Sequence, residues 1–217
     1  MSQPIYCISG LGADEQIFSN LQLPGYDLVC IKWLQPERRE SFADYAKRMY
    51  GQIEDSNPIV LGVSFGGMLG IEIAQQFPVK KLILISSVKT KNELPLWMRL
   101  AGKIRLHQLV RARPHPLFYP IENYFLGVKE KEEVELAIHF RKTVDRDFLQ
   151  WAIHNIVTYS NVIIPDNILH IHGTADKLFP LRNVNVHYKI KGGGHFMVYN
   201  KADEISRILC SELEAVK

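Results

Sequence analysis

The stretch Ile59-Val60-Leu61-Gly62-Val63-Ser64-Phe65-Gly66-Gly67 constrains the chain more than any other. Its apolar front, Ile59 to Val63, predicts a buried parallel strand, and Gly66 to Phe77 predicts a helix that Pro78 stops. Between them lies Gly-x-Ser-x-Gly, with Ser64 in the middle. A strand-to-helix turn this tight forces unusual dihedrals on its central residue. It leaves no space for a side chain at Gly62 or Gly66, because the helix begins against the strand. The serine hydroxyl is then lifted above the sheet, beside the backbone N–H groups of the helix start.

Other segments repeat the strand signal. Pro4 to Ser9, Asp27 to Lys32, Lys81 to Ser86, Ile168 to His172 and Val186 to Ile190 are short and apolar. Ser41 opens a helix with Asp44 as a box-like cap, and Phe42, Tyr45, Ala46, Met49 and Ile53 keep its apolar stripe. A closing helix runs from about Ala202, with Ile205, Ile208, Leu209, Leu213 and Val216 on one face. Continuous apolar strands alternating with helices indicate a parallel sheet covered on both faces.

The connection from Ser86 to Ile168 far exceeds the roughly one dozen residues that a parallel crossover needs. It reads as a helical insertion over about 88–160. Pro95 suits a helix start, with Trp97, Leu100, Ala101 and Ile104 at helical spacing, and Pro114, Pro116 and Pro120 break the helical pattern beyond it. Glu130 to Lys142 carries acids at its front and bases at its end, as the helix dipole favours. Asp147 to Tyr159 returns the chain to the sheet. The expectation is one domain, 1–217, with a core of about 1–87 and 161–217.

Composition narrows the function classes. A net charge of +3, with no basic block interleaved with aromatics, argues against nucleic-acid binding. The start Met1-Ser2-Gln3-Pro4 has no basic region, and the apolar run after it is only Ile5 to Ile8, so neither a signal peptide nor stable membrane insertion is expected. Cys7, Cys30 and Cys210 are an odd set without Cys-x-x-Cys spacing; Cys7 and Cys30, inside apolar strand-like runs, read as buried reduced thiols, which suits a reducing compartment such as the cytoplasm. No histidine or carboxylate cluster has metal-ligand spacing, and no cofactor is called for.

A serine hydroxyl attacks well only when a base takes its proton, and the base works best when a carboxylate holds its tautomer. His172-Gly173-Thr174-Ala175-Asp176 puts Asp176 in the loop after the fifth strand, and Gly192-Gly193-Gly194-His195 puts His195 after the sixth. In an open parallel sheet these loops share an edge with the Ser64 turn.

With Gly62-Val63-Ser64-Phe65-Gly66, His172-Gly173-Thr174-Ala175-Asp176 and Gly193-Gly194-His195 in the order Ser, Asp, His, the chain resembles the α/β-hydrolase superfamily. The resemblance covers the six strands and their helices, not the insertion. It implies an α/β-hydrolase fold, a mainly parallel six-stranded sheet flanked by helices, to which the insertion read above adds a helical cap. It further implies that Ser64 is the nucleophile, that His195 is base and then acid, and that Asp176 orients His195. The implied oxyanion donors are the backbone N–H groups of Phe65 and Leu11, the latter in Ser9-Gly10-Leu11-Gly12, where Ser9 departs from the histidine many members carry. The early antiparallel strands of many members are missing, which makes this a compact version.

Bland readings stand beside these. Ser64 in a phosphate loop lacks a following Gly-Lys-Ser/Thr. Asp145 and Asp166 are substitutes for Asp176, with Asp166 on the wrong edge of the sheet. His172 reads as a packed strand residue, and His107, His115, His139 and His154 lie in the insertion without metal spacing. His170 and His187 fall in strands and receive no role. Phe118, Tyr119, Tyr124 and Phe125 are candidates for an acyl pocket, although packing of the cap is the simpler role. From Leu94 to Ile121 there is no acid, while Arg99, Lys103, Arg105, Arg111 and Arg113 are basic, which suits an anionic substrate or surface, or a solvated helix face.

The reading is a serine hydrolase, monomer or homodimer, for an ester or thioester of a small to medium apolar acid. Carbon–carbon bond hydrolysis, lactonase and lyase chemistry use the same triad. A non-catalytic member of the fold that binds a ligand or partner is the rival from another class.

Overall fold

The structure is a computed structural model and describes residues 2–105, 107 and 115–214. Six parallel strands, β1 (Gln3–Ile8), β2 (Tyr26–Cys30), β3 (Ile59–Val63), β4 (Lys81–Ile85), β5 (Ile168–Gly173) and β6 (Tyr188–Ile190), form one sheet in the order β2-β1-β3-β4-β5-β6. The central strands are buried on both faces, which is why they read as unbroken apolar runs. β6 begins two residues later than Val186, because on this edge strand Tyr188 and Lys189 are solvent-facing and the apolar pattern does not mark where pairing starts.

Two apolar layers sandwich the sheet. On one face Tyr6, Val60, Leu82 and Leu84 pack with α1 (Phe42–Tyr50) and α2 (Phe65–Gln76). On the other, Ile5, Leu61, Ile83 and Ile171 pack under the final helix, whose Ile205, Leu209 and Leu213 face inward. Ser41 caps α1 by accepting from Asp44 N–H at 3.0 Å. The Asp44 carboxylate accepts from the Ser41 hydroxyl rather than from its backbone, so the box is half formed.

Between β4 and β5 the chain carries α3 (Leu96–Lys103), α4 (Tyr119–Leu126), α5 (Lys131–Thr143) and α6 (Arg146–Val157). Each starts or stops where the chemistry allows. Pro95 precedes α3, Gly127 at φ 74° ends α4, Glu130 and Glu133 form a reciprocal capping box on α5, and the Asp145 carboxylate accepts from Asp147 and Phe148 N–H to cap α6. These helices are knitted into both layers, since Phe148 and Ala152 of α6 join one and Ala137 and Phe140 of α5 join the other. α7 (Met197–Asn200) and α8 (Ala202–Glu214) close the described chain. Arg111 and Arg113 of the basic run, and Pro114, lie outside the described residues.

Strand order reverses direction beside β1, where the chain passes from β2 back to β3. The crevice outside the carboxyl ends at such a switch point is where α/β sheets place ligands. Here the loop after β1 and the turn after β3 border it.

Candidate active site

Ser64 stands between β3 and α2 with φ 53° and ψ −117°, a conformation that costs a non-glycine residue about 1–3 kcal/mol. Close packing enforces it. A Cβ on Gly62 would lie 2.5 Å from the carbonyl oxygen of Gly66, and one on Gly66 would collide with the carbonyls of Ile8 and Ser9. The strained residue is held on both sides. Ser64 N–H donates to Ile85 O at 3.0 Å, and the Ser87 hydroxyl donates to Ser64 O at 2.7 Å.

The structure brings the three sequence-derived side chains into one line. Ser64 Oγ is 2.8 Å from His195 Nε2, and His195 Nδ1 is 2.9 Å from Asp176 Oδ2. An ionised Asp176 accepts the Nδ1–H, which leaves Nε2 as the acceptor for the serine proton. The other carboxylate oxygen, Oδ1, accepts from Leu178 N–H at 2.9 Å and Phe179 N–H at 2.8 Å. Burial opposes ionisation of Asp176, but the charge and hydrogen bond of His195, with help from His172 and Phe179 N–H, outweigh it and hold the carboxyl below the usual range. Solvent barely reaches the group, with Ser64 8%, His195 5% and Asp176 4% exposed. Each of the three glycines before His195 has its own cause: Gly192 takes a φ of 70°, Gly193 packs against Gly173, and Gly194 passes the end of α4. A Cβ on Gly194 would sit 3.1 Å from the Cα of Gly127.

Phe65 is the first residue of α2, so its N–H has no partner inside the helix and lies beside Ser64. Its side chain is fully buried, stacked on Trp33 and Phe42 at ring separations of 5.4 Å each. The Ser9–Asp14 loop faces it. A Cβ on Gly10 would be 3.5 Å from Ser64 Cβ, and Leu11 is half-buried against the aromatic layer. Ser9 ties this loop down. It accepts from Trp33 Nε1–H at 2.9 Å and donates to Ala13 O at 2.6 Å. A cleft of about 390 Å³ opens beside the loop, lined by Ser9, Gly12, Trp33, Leu34, Val144 and Phe148 among others; Ser64 does not line it.

Other expectations meet different fates. Asp145 caps α6, and Asp166 lies in the turn before β5, at the opposite edge from Ser64. Phe118, Tyr124 and Phe125 do not pack the interior of the insertion. They are 54%, 61% and 37% exposed, because α4 lies on the surface with Lys177 over Tyr124 and Arg141 over Tyr119. Cys7 is buried, but Cys30 and Cys210 are only half-buried; all three are free thiols. Among the described residues no helix is long and apolar enough to cross a membrane. Sequence reasoning missed Ser87, Trp33 and the contact of His172 with Asp176. Only Ser87 leaves a trace, as a small polar residue just past an apolar strand.

No family model matches the sequence, and no curated protein does. Solved structures do. A thermophilic esterase from Thermogutta terrifontis superposes with a TM-score of 0.77 at 13% identity, covering 100% of this chain and 91% of its own. A bromoperoxidase from Bacillus anthracis gives 0.71 at 15%, covering 99% and 92%. The E219G variant of the N-acyl homoserine lactonase AidH, complexed with N-hexanoyl homoserine, gives 0.72 at 15%, covering 100% and 90%. With its six-stranded parallel sheet and flanking helices, this chain has the α/β-hydrolase fold.

Proposed function

We propose that the protein is a serine hydrolase that cleaves an ester or thioester of a small to medium apolar acid through an acyl-enzyme. The observation that carries this reading is the unbroken line Ser64 Oγ–His195 Nε2, His195 Nδ1–Asp176 Oδ2 at hydrogen-bond distances. His195 Nε2 takes the Ser64 proton as Oγ attacks the acyl carbonyl carbon, and Asp176 stabilises the resulting imidazolium. The backbone N–H groups of Phe65 and Leu11 receive the oxyanion. His195 then protonates the departing alcohol or thiol, and water, deprotonated by the same nitrogen, attacks the acyl-enzyme and frees Ser64. No cofactor enters these steps.

Residues 88–160 act as the cap that sets acyl length, a reading supported by Thr143 of α5, Val144 after it and Phe148 of α6, which line the cleft. Free thiols support a reducing, cytoplasmic setting. The lactonase among the structural neighbours keeps lactone opening as the second reading, since a lactone is an ester whose leaving alcohol remains attached.

A panel of esters, thioesters and lactones of graded acyl length tests the proposal. The expected result is turnover with a kcat/KM maximum at short to medium straight chains, lost in Ser64→Ala. Inactivity across the panel in folded protein contradicts it and favours a binding role.

A further inference from the structure

Helix α3 is apolar on two opposite faces, and only one of them is packed. Its rotation is fixed at Gly102. A Cβ there would lie 1.9 Å from the carbonyl oxygen of Val157, so α3 crosses the end of α6 backbone against backbone. Met98, one turn earlier on the same side, is buried and joins the layer that holds Phe148 and Ala152 of α6. At about 100° per residue, Leu96, Trp97 and Leu100 fall within an arc of about 100° on the far side. Ile104, the C-cap, continues their stripe. These four side chains are 65%, 57%, 50% and 67% exposed. The helical spacing of Trp97, Leu100 and Ile104 thus marks the outer face of α3, not its buried one.

The charges around this stripe have one sign. Arg99 and Lys103, four residues apart, run along one border of it, and Arg105 follows; all three are exposed. From Leu94 to Ile121 the sequence contains no acid. The acids that bound the span are engaged elsewhere, Glu93 with Lys89 at 3.0 Å and Glu122 with Arg141 at 2.7 Å. Among the described residues, none of the three cations has a carboxylate at ion-pair distance. α4 repeats the combination. Leu117, Ile121 and Tyr124 are exposed at helical spacing, and Lys177 Nζ lies 3.2 Å from the centroid of the Tyr124 ring.

Exposed apolar stripes mark interaction sites, and shape and charge select the partner. The four side chains of α3 stand out from the surface, and none lines the cleft beside the Ser9–Asp14 loop. A convex apolar ridge fits a fluid apolar phase better than it receives a peptide. Two copies of α3 face to face would bring Arg99 and Lys103 toward like charges, with no acid in either span to offset them. We propose that α3 is a docking surface for anionic phospholipid bilayers, engaged reversibly along its outer stripe and without spanning. Leu96, Trp97, Leu100 and Ile104 enter the boundary between headgroups and acyl chains, while Arg99, Lys103 and Arg105 reach the lipid phosphates. The stripe belongs to the insertion rather than to the triad, so its role is independent of the hydrolase reading.

Cosedimentation of the full-length protein with large unilamellar vesicles tests the proposal. Phosphatidylcholine alone is compared with phosphatidylcholine carrying phosphatidylglycerol, at about 0.1 M and about 0.5 M salt. Binding is expected only to the anionic vesicles, and more weakly at the higher salt. Arg99→Gln with Lys103→Gln is expected to lower the partition coefficient about 25-fold, at about fivefold per basic residue. Trp97→Ser with Leu100→Ser is expected to lower it about tenfold or more. Arg38→Gln with Lys189→Gln removes the same charge from exposed positions elsewhere and should leave binding within about twofold, because attraction fades within a Debye length of the surface. Full binding by both α3 variants, an equal loss in the control pair, or no binding to either vesicle overturns the proposal. Capture by soluble poly-L-glutamate without vesicle binding would assign the face to an acidic chain instead. Self-association without vesicle binding, lost in Trp97→Ser with Leu100→Ser, would assign it to a second copy, and in either case the lipid reading falls.

Discussion

Ser87 donates its buried hydroxyl to the backbone carbonyl of Ser64 at 2.7 Å, and so pins the one residue whose backbone the strand-to-helix turn strains. The Ser64 turn is held by the Ser87 side chain as well as by the glycines that flank it. Ser87 also fills the space beside Gly67, where an added Cβ would strike it. Replacing Ser87 by alanine should destabilise the fold by about 1 kcal/mol, the size of one buried hydrogen bond. Ester turnover should fall more than that stability loss explains, because Ser64 gains freedom. Urea denaturation alongside steady-state kinetics separates the two effects.

Gly62→Ala should be far more damaging. Its Cβ would stand 2.5 Å from the Gly66 carbonyl, backbone against backbone, so the helix must move away from the strand. Overpacking of this kind costs about 1–3 kcal/mol or more. The expected outcome is a lowered melting temperature together with loss of Ser64 labelling by a fluorophosphonate, and a variant with normal values for both would show that the turn has slack.

The Ser9 hydroxyl accepts from Trp33 and donates to Ala13 O, fastening the loop that carries Leu11. In Ser9→Ala the half-buried Trp33 N–H loses its partner, a cost of about 0.5–1.5 kcal/mol for one hydrogen bond. If Leu11 N–H serves the oxyanion, kcat should drop while KM for short esters changes little. A change confined to KM would move Leu11 from transition-state stabilisation to substrate binding.

Stability should fall as the solution is acidified below neutral pH. His170 and His172 are held neutral by burial, so their folded-state pKa values lie below the ordinary 6.5. A base with a depressed pKa contributes stability that is complete above its unfolded value and is lost as pH drops from there through the folded value. Asp176, also depressed but from 3.8, adds its loss only in stronger acid. Melting temperatures are therefore expected to hold from pH 8 to about 7 and to decline from about 6.5 downward. His170→Gln should flatten that decline; an unchanged slope would assign it to other groups.

Much of the fold and site was legible in the sequence, for a physical reason. Strands buried on both faces read as unbroken apolar runs, and β1, β3, β4 and β5 fall within a residue or two of those runs. The meeting of Ser64, Asp176 and His195 was legible because glycine-punctuated turns mark the ends of β3, β5 and β6, whose loops share one edge of the sheet. The roles of Ser87, Trp33 and His172 were not, because each depends on a tertiary contact that the local sequence pattern does not specify. Tyr124 and Phe118 misled for the converse reason. Aromatic character predicts burial on average, but Tyr124 of α4 is covered by Lys177, and Phe118, in the turn before α4, faces solvent rather than an apolar layer.

The central claim is that Ser64 is a nucleophile activated by His195. Treating the protein with a fluorophosphonate and mapping the adduct by peptide mass spectrometry tests it most directly. One adduct is expected, on Ser64, absent in Ser64→Ala and formed about a thousandfold more slowly in His195→Ala, in line with the loss of a triad member. An adduct on another residue, or labelling undiminished in Ser64→Ala, would contradict it.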